Sequence, residues 1–176
     1  PSSSSAASDV YKRQEIYDAS PVINGIKVPI LWGTDAVHGH NNLIGATIFP
    51  HNIGLGATRN ADLVRDIGKA TALEVISTGV IWTFAPAITA PQDLKWGRTY
   101  EGYSEDSNIV SVMGGALIEG LQGRNKDFLS NNHILATAKH FIGDGGTFDG
   151  IDRGNTKLSE EELKRVHGIQ YFTALD

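Results

Sequence analysis

Three polar clusters hold the residues of this sequence best suited to chemistry, and each lies beyond a short apolar run. The first is Asp35-Ala36-Val37-His38-Gly39-His40-Asn41-Asn42, which follows Val28-Pro29-Ile30-Leu31-Trp32-Gly33. A carboxylate at the point where a strand emerges can accept paired hydrogen bonds from adjacent hydroxyls, and Asp35 offers that chemistry; capping of its own loop is the plainer alternative. His38 and His40 form a His-x-His pair, so a metal-dependent hydrolase with both imidazoles on one ion is a further alternative. They follow Asp35 by three and five residues, which puts them past the strand mouth and weakens the metal reading.

The second cluster is Asp93-Leu94-Lys95-Trp96-Gly97-Arg98-Thr99-Tyr100-Glu101-Gly102-Tyr103-Ser104-Glu105-Asp106. Arg98 presents a rigid fork of donors to ring hydroxyls or to a carboxylate. Trp96, Tyr100 and Tyr103 offer flat faces for the C–H side of a pyranose. The alternative is that these aromatics are loop core and that Arg98 is salt-bridged to Glu101 or Glu105. The third cluster is Lys139-His140-Phe141-Ile142-Gly143-Asp144-Gly145-Gly146-Thr147, in which Lys139 and His140 are two adjacent donors for a polyol. Its glycine-rich stretch is a poor phosphate cradle, because Asp144 at its centre repels an anion.

The elements that must position these clusters are legible from periodicity. The runs at 28–33, 80–85 and 134–138 read as buried strands. Between the first two, Asn60 caps a helix with Val64, Ile67, Thr71 and Val75 on one face and Gly79 as its stop. Between the second and third, a helix over 106–122 turns Ile109, Met113, Ala116, Leu117, Gly120 and Leu121 to the core. A last helix runs from Ser159, with Glu162 completing a capping box, to Leu175. Strand–helix alternation of this kind predicts right-handed crossovers and a parallel sheet. Polar clusters at strand C-termini, with no Gly-x-Gly-x-x-Gly after any strand, favour part of a (β/α)₈ TIM-like barrel over an open doubly wound sheet. A complete barrel needs about 250 residues, so the α/β barrel expected here is partial, truncated at both ends.

Composition excludes several partners. A formal charge of −5 argues against nucleic acid, which needs a basic face. No run approaches the roughly 20 apolar residues of a membrane span, and the absence of cysteine excludes disulfides and thiolate chemistry. Residues 1–14, Pro-Ser-Ser-Ser-Ser-Ala-Ala-Ser-Asp-Val-Tyr-Lys-Arg-Gln, show no apolar periodicity and read as a disordered or adaptor-derived tail.

Taken in order, Gly33-Thr34-Asp35-Ala36-Val37-His38-Gly39-His40-Asn41-Asn42, the stretch from Gly45 to Thr58, Trp96-Gly97-Arg98, Tyr100-Glu101, Tyr103-Ser104-Glu105-Asp106, Ala138-Lys139-His140-Phe141 and Gly143-Asp144-Gly145-Gly146-Thr147 resemble glycoside hydrolase family 3. The likeness is to its β-glucosidases and exo-β-glucan glucohydrolases, and it covers residues 15–176. It implies that 15–176 is a fragment of an N-terminal (β/α)₈ glycosidase domain, with a C-terminal α/β sandwich domain missing. It implies a retaining exo-β-glucosidase acting on β-glucosides or β-glucan oligosaccharides, periplasmic or secreted, with no cofactor and no metal. By motif position, Asp35, Arg98, Lys139 and His140 match residues that grip the terminal sugar. The family's nucleophile lies in a Ser-Asp-Trp-like motif that this sequence lacks, and its acid/base comes from the second domain. The fragment is therefore expected to be inactive and to carry no catalytic carboxylate.

Two departures from the family pattern stand in the second cluster: Thr99 replaces a frequent Cys, and Gly102 replaces a frequent Ser, which is expected to loosen the Arg98 loop. Ile142 and Asp144 differ from the Lys-His-Phe-Pro-Gly-His-Gly of the N-acetylglucosaminidase branch and favour glucose. A non-catalytic carbohydrate-binding relative and a xylose-specific enzyme stay open.

Overall fold

The structure is a computed structural model that describes residues 5–176. It opens on helix α1 (Ser5–Ala19), so residues 5–14 are helical rather than a disordered tail, and residues 1–4 lie outside the described residues. The reason is that Lys12, Arg13, Gln14 and Glu15 favour helix without any apolar stripe, and helix formation does not require one. Tyr11 stays exposed on this helix, and Arg13 anchors it by donating to the Thr78 carbonyl. An antiparallel hairpin follows, β1 (Val22–Ile23) with β2 (Ile26–Lys27). Its turn residues Asn24 and Gly25 have φ of 52° and 79°, the left-handed pair that a two-residue hairpin of this hand requires.

Three parallel segments form the scaffold. β3 (Gly33–Thr34) pairs in parallel with β4 (Trp82–Thr83). On its far side β4 bridges in parallel to Leu135, and the pairing continues as Ala87 to Lys139. Backbone bonds from Thr83 N to Leu135 O (2.8 Å), Thr137 N to Ala85 O (2.8 Å) and Ile88 N to Lys139 O (2.8 Å) hold this second seam. The three expected strands are therefore neighbours in sequence order. The described residues contain a short parallel sheet with helices, not a closed barrel.

The helices between strands form as their sequence dictates. A short helix α2 (Asn52–Thr58) precedes α3 (Ala61–Ser77), whose cap Asn60 accepts from Leu63 N at 3.0 Å. Helix α4 (Ser107–Gln122) is capped by Asp106, which accepts from Asn108 N at 2.9 Å. Val64, Ile67, Ala72 and Val75 of α3 meet Val110, Met113, Leu117 and Leu121 of α4, together with Val80, Ile88 and Ile134 of the sheet. Close approach of the two helices depends on glycine: a Cβ at Gly120 would stand 2.1 Å from Arg65 O and 2.9 Å from Gly68 Cα.

Two further expectations fail. The 28–33 run is not a buried strand: Ile30 is 61 % exposed, Leu31 51 % and Trp32 41 %, and the run pairs with β4 only at its last residue, Gly33. Apolar character alone does not bury a strand; something must cover it, and Ile16 and Tyr17 of α1, which line a cleft with Ile30, Leu31 and Trp32, leave these side chains largely open. The helix from Ser159 is not continuous either. Its capping box forms, with Ser159 Oγ accepting from Glu162 N at 3.2 Å and Glu162 bonding back to Ser159 N at 3.2 Å. After α5 (Glu160–Leu163), however, the backbone widens into a π turn over Lys164–Gly168 before α6 (Ile169–Leu175). That turn buries His167 against the third cluster, where a Cβ at Gly146 would lie 2.3 Å from His167 Nε2. No helix of the described residues is long and apolar enough to cross a membrane.

Candidate functional site

All four predicted site residues come from the C-terminal ends of the parallel segments or the loops that leave them, and they meet as two pairs. Asp35, one residue beyond β3, accepts from Lys139 Nζ at 2.9 Å. The Asp35 carboxylate is 59 % exposed and Lys139 only 15 %, so the ammonium is sheltered while the carboxylate faces outward. Arg98 Nη2 donates to His140 Nε2 at 3.1 Å. Lys139 and His140 are consecutive, so both pairs converge where the third segment ends.

Arg98 is itself held by a carboxylate. Its Nε and Nη2 donate to Glu101 Oε1 and Oε2 at 2.7 and 2.8 Å, a two-pronged ion pair across a single 3-10 turn (Thr99–Glu101). This bond and the flanking acidic groups raise the guanidinium pKa further, so Arg98 is charged at all working pH values. The turn is fixed from below by buried Asn52, whose Nδ2 donates to Glu101 O at 2.7 Å and to Ala87 O at 3.4 Å. Thr99 supplies a local tie, its Oγ1 donating to Trp96 O at 2.7 Å.

The salt-bridge alternative for Arg98 is thus present in the fold. Its Nη1 makes no hydrogen bond among the described residues, which leaves one edge of the guanidinium for a ligand. Trp96 and Tyr103 are not sugar platforms: each is buried, and the indole Nε1 donates to Asp152 at 3.0 Å. Burial also raises the Tyr103 pKa. Only Tyr100 of the three aromatics stays exposed, edge-on to His51 at 4.7 Å, and His51 stacks on His38 at 4.0 Å. Gly102 does not loosen the loop. A Cβ there would stand 2.4 Å from Pro91 Cδ, so glycine is what lets the turn sit down on Pro91.

The metal reading of His38 and His40 does not match their surroundings. His38 Nδ1 lies 3.1 Å from Phe49 O, while His40 is buried with Nε2 at 3.1 Å from Thr78 Oγ1, so each ring is committed to a different protein partner. Glu101, Asn52 and Asp144 were not foreseen as site residues. Asp144 bonds His140 Nδ1 at 2.7 Å. The three-residue spacing of Arg98 and Glu101 was the available signal for the first of them. Two clefts of ≈ 480 and ≈ 520 Å³ lie around the C-terminal half of α4 and contain none of the four residues, so cavity size does not point to this site.

Parallel strands joined by crossover helices, with charged and imidazole groups converging at the strands' C-terminal ends, define an α/β domain with its polar site where barrel enzymes carry theirs. The sequence profile of the "Glycosyl hydrolase family 3 N terminal domain" matches residues 5–176. The chain belongs to glycosyl hydrolase family 3. It is 36 % identical over 142 residues to a lysosomal beta glucosidase of Dictyostelium discoideum, covering 79 % of this chain and 17 % of that protein. It is 28 % identical over 163 residues to a periplasmic beta-glucosidase of Salmonella typhimurium, covering 93 % of this chain and 20 % of the other. The crystal structure of an exo-1,3/1,4-beta-glucanase from a Pseudoalteromonas species superposes with a TM-score of 0.91 at 50 % identity, over 97 % of this chain and 22 % of that one. The chain therefore spans about a fifth of the length of these relatives.

Proposed function

We propose that this chain supplies the sugar-gripping part of the −1 subsite in a retaining, exo-acting β-glucosidase that releases terminal β-D-glucosyl residues from β-glucans or their oligosaccharides. The observation that carries the reading is the meeting of Asp35 with Lys139 and of Arg98 with His140 at the ends of parallel strands. Each pair keeps free valences: the outer oxygen of Asp35, the remaining Nζ hydrogens of Lys139, Nη1 of Arg98. A pyranose hydroxyl both donates and accepts, so neighbouring hydroxyls fit a rim that alternates carboxylate and cation. Bonds of this type that tighten as the ring flattens toward the oxocarbenium ion lower the barrier rather than only the KM.

The names of the relatives support glucose and a β-linkage. No Ser-Asp-Trp occurs in the chain, so the nucleophile and the acid/base come from other parts of the complete enzyme, in the closed barrel and the α/β sandwich domain. In a retaining enzyme those two carboxyls stand roughly 5–5.5 Å apart. The chain alone hydrolyses nothing, and the complete enzyme works in the periplasm or outside the cell.

The test is to express the complete gene, supply an aryl β-glucoside and follow the first-formed anomer by NMR. Release of β-glucose is expected, and release of α-glucose would reject a retaining enzyme. Binding of glucose without turnover would assign the protein instead to the non-catalytic relatives, and faster turnover of the β-xyloside would reassign the sugar.

A further inference from the structure

We propose that Asp144 is a positioning residue that fixes the proton of His140 on Nδ1, which makes His140 Nε2 a hydrogen-bond acceptor inside the sugar pocket. The inference rests on the glycosidase reading above and extends it to a residue that grips no sugar. It follows from a count of hydrogens. Arg98 Nη2 carries two: one goes to Glu101 Oε2 at 2.8 Å, the other to His140 Nε2 at 3.1 Å. A guanidinium has no acceptor, so the Nε2 lone pair must face it. The ring proton then sits on Nδ1, where Asp144 Oδ2 receives it at 2.7 Å. The row runs Glu101, Arg98, His140, Asp144: anion, cation, neutral ring, anion.

Asp144 is 11 % exposed and is held in place by the turn around it. Gly143 O accepts from Gly146 N and from Thr156 Oγ1, both at 3.0 Å, and Gly145 O accepts from Gln92 N at 2.8 Å. Gly143 and Gly145 have φ of 97° and 84°, where a side chain would strain the turn. The buried His167 ring closes against Gly146 from the π turn. The charge of Asp144 also reaches His167 and Tyr171 on that helix, which face it from behind. With Nε2 as an acceptor, the pocket can take a hydroxyl hydrogen at His140 in place of the one from Arg98. Lys139 and the freed edge of Arg98 then donate to the oxygens.

The experiment uses the complete enzyme labelled with ¹⁵N-histidine, with His140 assigned by its loss in H140N. The expected wild-type spectrum shows a protonated Nδ1 and an unprotonated Nε2. In Asp144→Leu Nδ1 loses its acceptor and the ring its anchor, so the ring turns away from Arg98, the proton redistributes toward Nε2 and kcat/KM falls by about 10²-fold, the scale of a misplaced binding group. In Asp144→Asn the amide oxygen still accepts from Nδ1, so tautomer and most activity return. A wild-type ring protonated on Nε2, or an unchanged tautomer in D144L whatever its activity, overturns the proposal. Should D144L fail to fold, the wild-type spectrum and D144N decide. The histidine spectrum places the proton even in an enzyme that turns over no β-glucoside, an outcome that counts against the proposed function alone.

Discussion

Lys139 Nζ donates to Asp35 Oδ1 at 2.9 Å, joining the ends of two strand segments that are 104 residues apart in the chain. Lys139 is the sheltered partner and Asp35 the exposed one, so the bond leaves the outer carboxylate oxygen directed away from the ammonium. If the proposed subsite is right, replacing Asp35 by Ala in the complete enzyme removes an acceptor for sugar hydroxyls and leaves Lys139 without its anion. A loss of about 10²–10³-fold in kcat is expected, comparable with deleting one preorganised transition-state contact. Steady-state hydrolysis of an aryl β-glucoside measures it, and an unchanged rate removes Asp35 from the site. The thermal midpoint should move little, because an ion pair with one exposed partner contributes modestly to stability.

That pairing shows where the sequence is legible and where it is not. Helix α3 can be read from Asn60 and its one-sided apolar residues, and the Ser159–Glu162 box from local spacing, because both are fixed by contacts within a few residues. The site residues stand out as polar groups beyond apolar runs, but their pairing spans most of the chain and no local pattern encodes it. Trp96 illustrates the limit for aromatics: a loop indole reads equally as platform or core until its neighbours are known, and here Gly145 packs against the ring. Asp144 is hidden for a different reason. Its four-residue offset from His140 means contact on a helix, but here the contact is made across a glycine turn.

Gly102 gives a stability prediction of definite sign. Because a Cβ at this position meets Pro91 Cδ at 2.4 Å and Thr89 O at 3.0 Å, the Gly102→Ser change forces the Arg98 turn off its seat. A loss of about 1–3 kcal/mol is expected, as for other overpacked sites. Denaturant unfolding of the complete enzyme reads it, and an unchanged or higher midpoint for G102S would show that the turn accommodates a serine side chain.

His40 makes stability depend on pH. Thr78 Oγ1 donates to Val75 O at 2.7 Å, so toward His40 Nε2, 3.1 Å away, it can only accept. The ring is therefore protonated on Nε2, and Nδ1 is buried without a partner among the described residues. Burial first, and the nearby Arg13 charge second, lower the His40 pKa, with Glu74 opposing. The unfolded chain takes up this proton near pH 6.5 while the folded one resists it. Stability from this group is thus present above about pH 6.5 and lost as pH falls toward the depressed folded value. Melting of the complete enzyme from pH 7.5 to 5.0 should fall more steeply for wild type than for His40→Asn. Equal slopes would reject the assignment.

Asn52 tests whether the Arg98 turn must be held from beneath. Its amide is buried and donates to both Ala87 O and Glu101 O, so it ties the end of the second strand segment to the residue that grips Arg98. In Asn52→Ala both carbonyls lose a donor in a place that water reaches poorly, at a cost of about 1–3 kcal/mol. The effect on function is expected to be separable from that cost. Glu101 would gain freedom, Arg98 would spend less time with its free edge toward the pocket, and kcat/KM for a β-glucoside would drop by about 10-fold to 10²-fold at temperatures well below melting. Asn52→Asp, which keeps the shape but puts an anion beside two carbonyls and reverses the hydrogen-bond sense, should do no better than Ala. If N52A loses stability but keeps full activity, Glu101 is held by Arg98 itself and Asn52 serves only the fold.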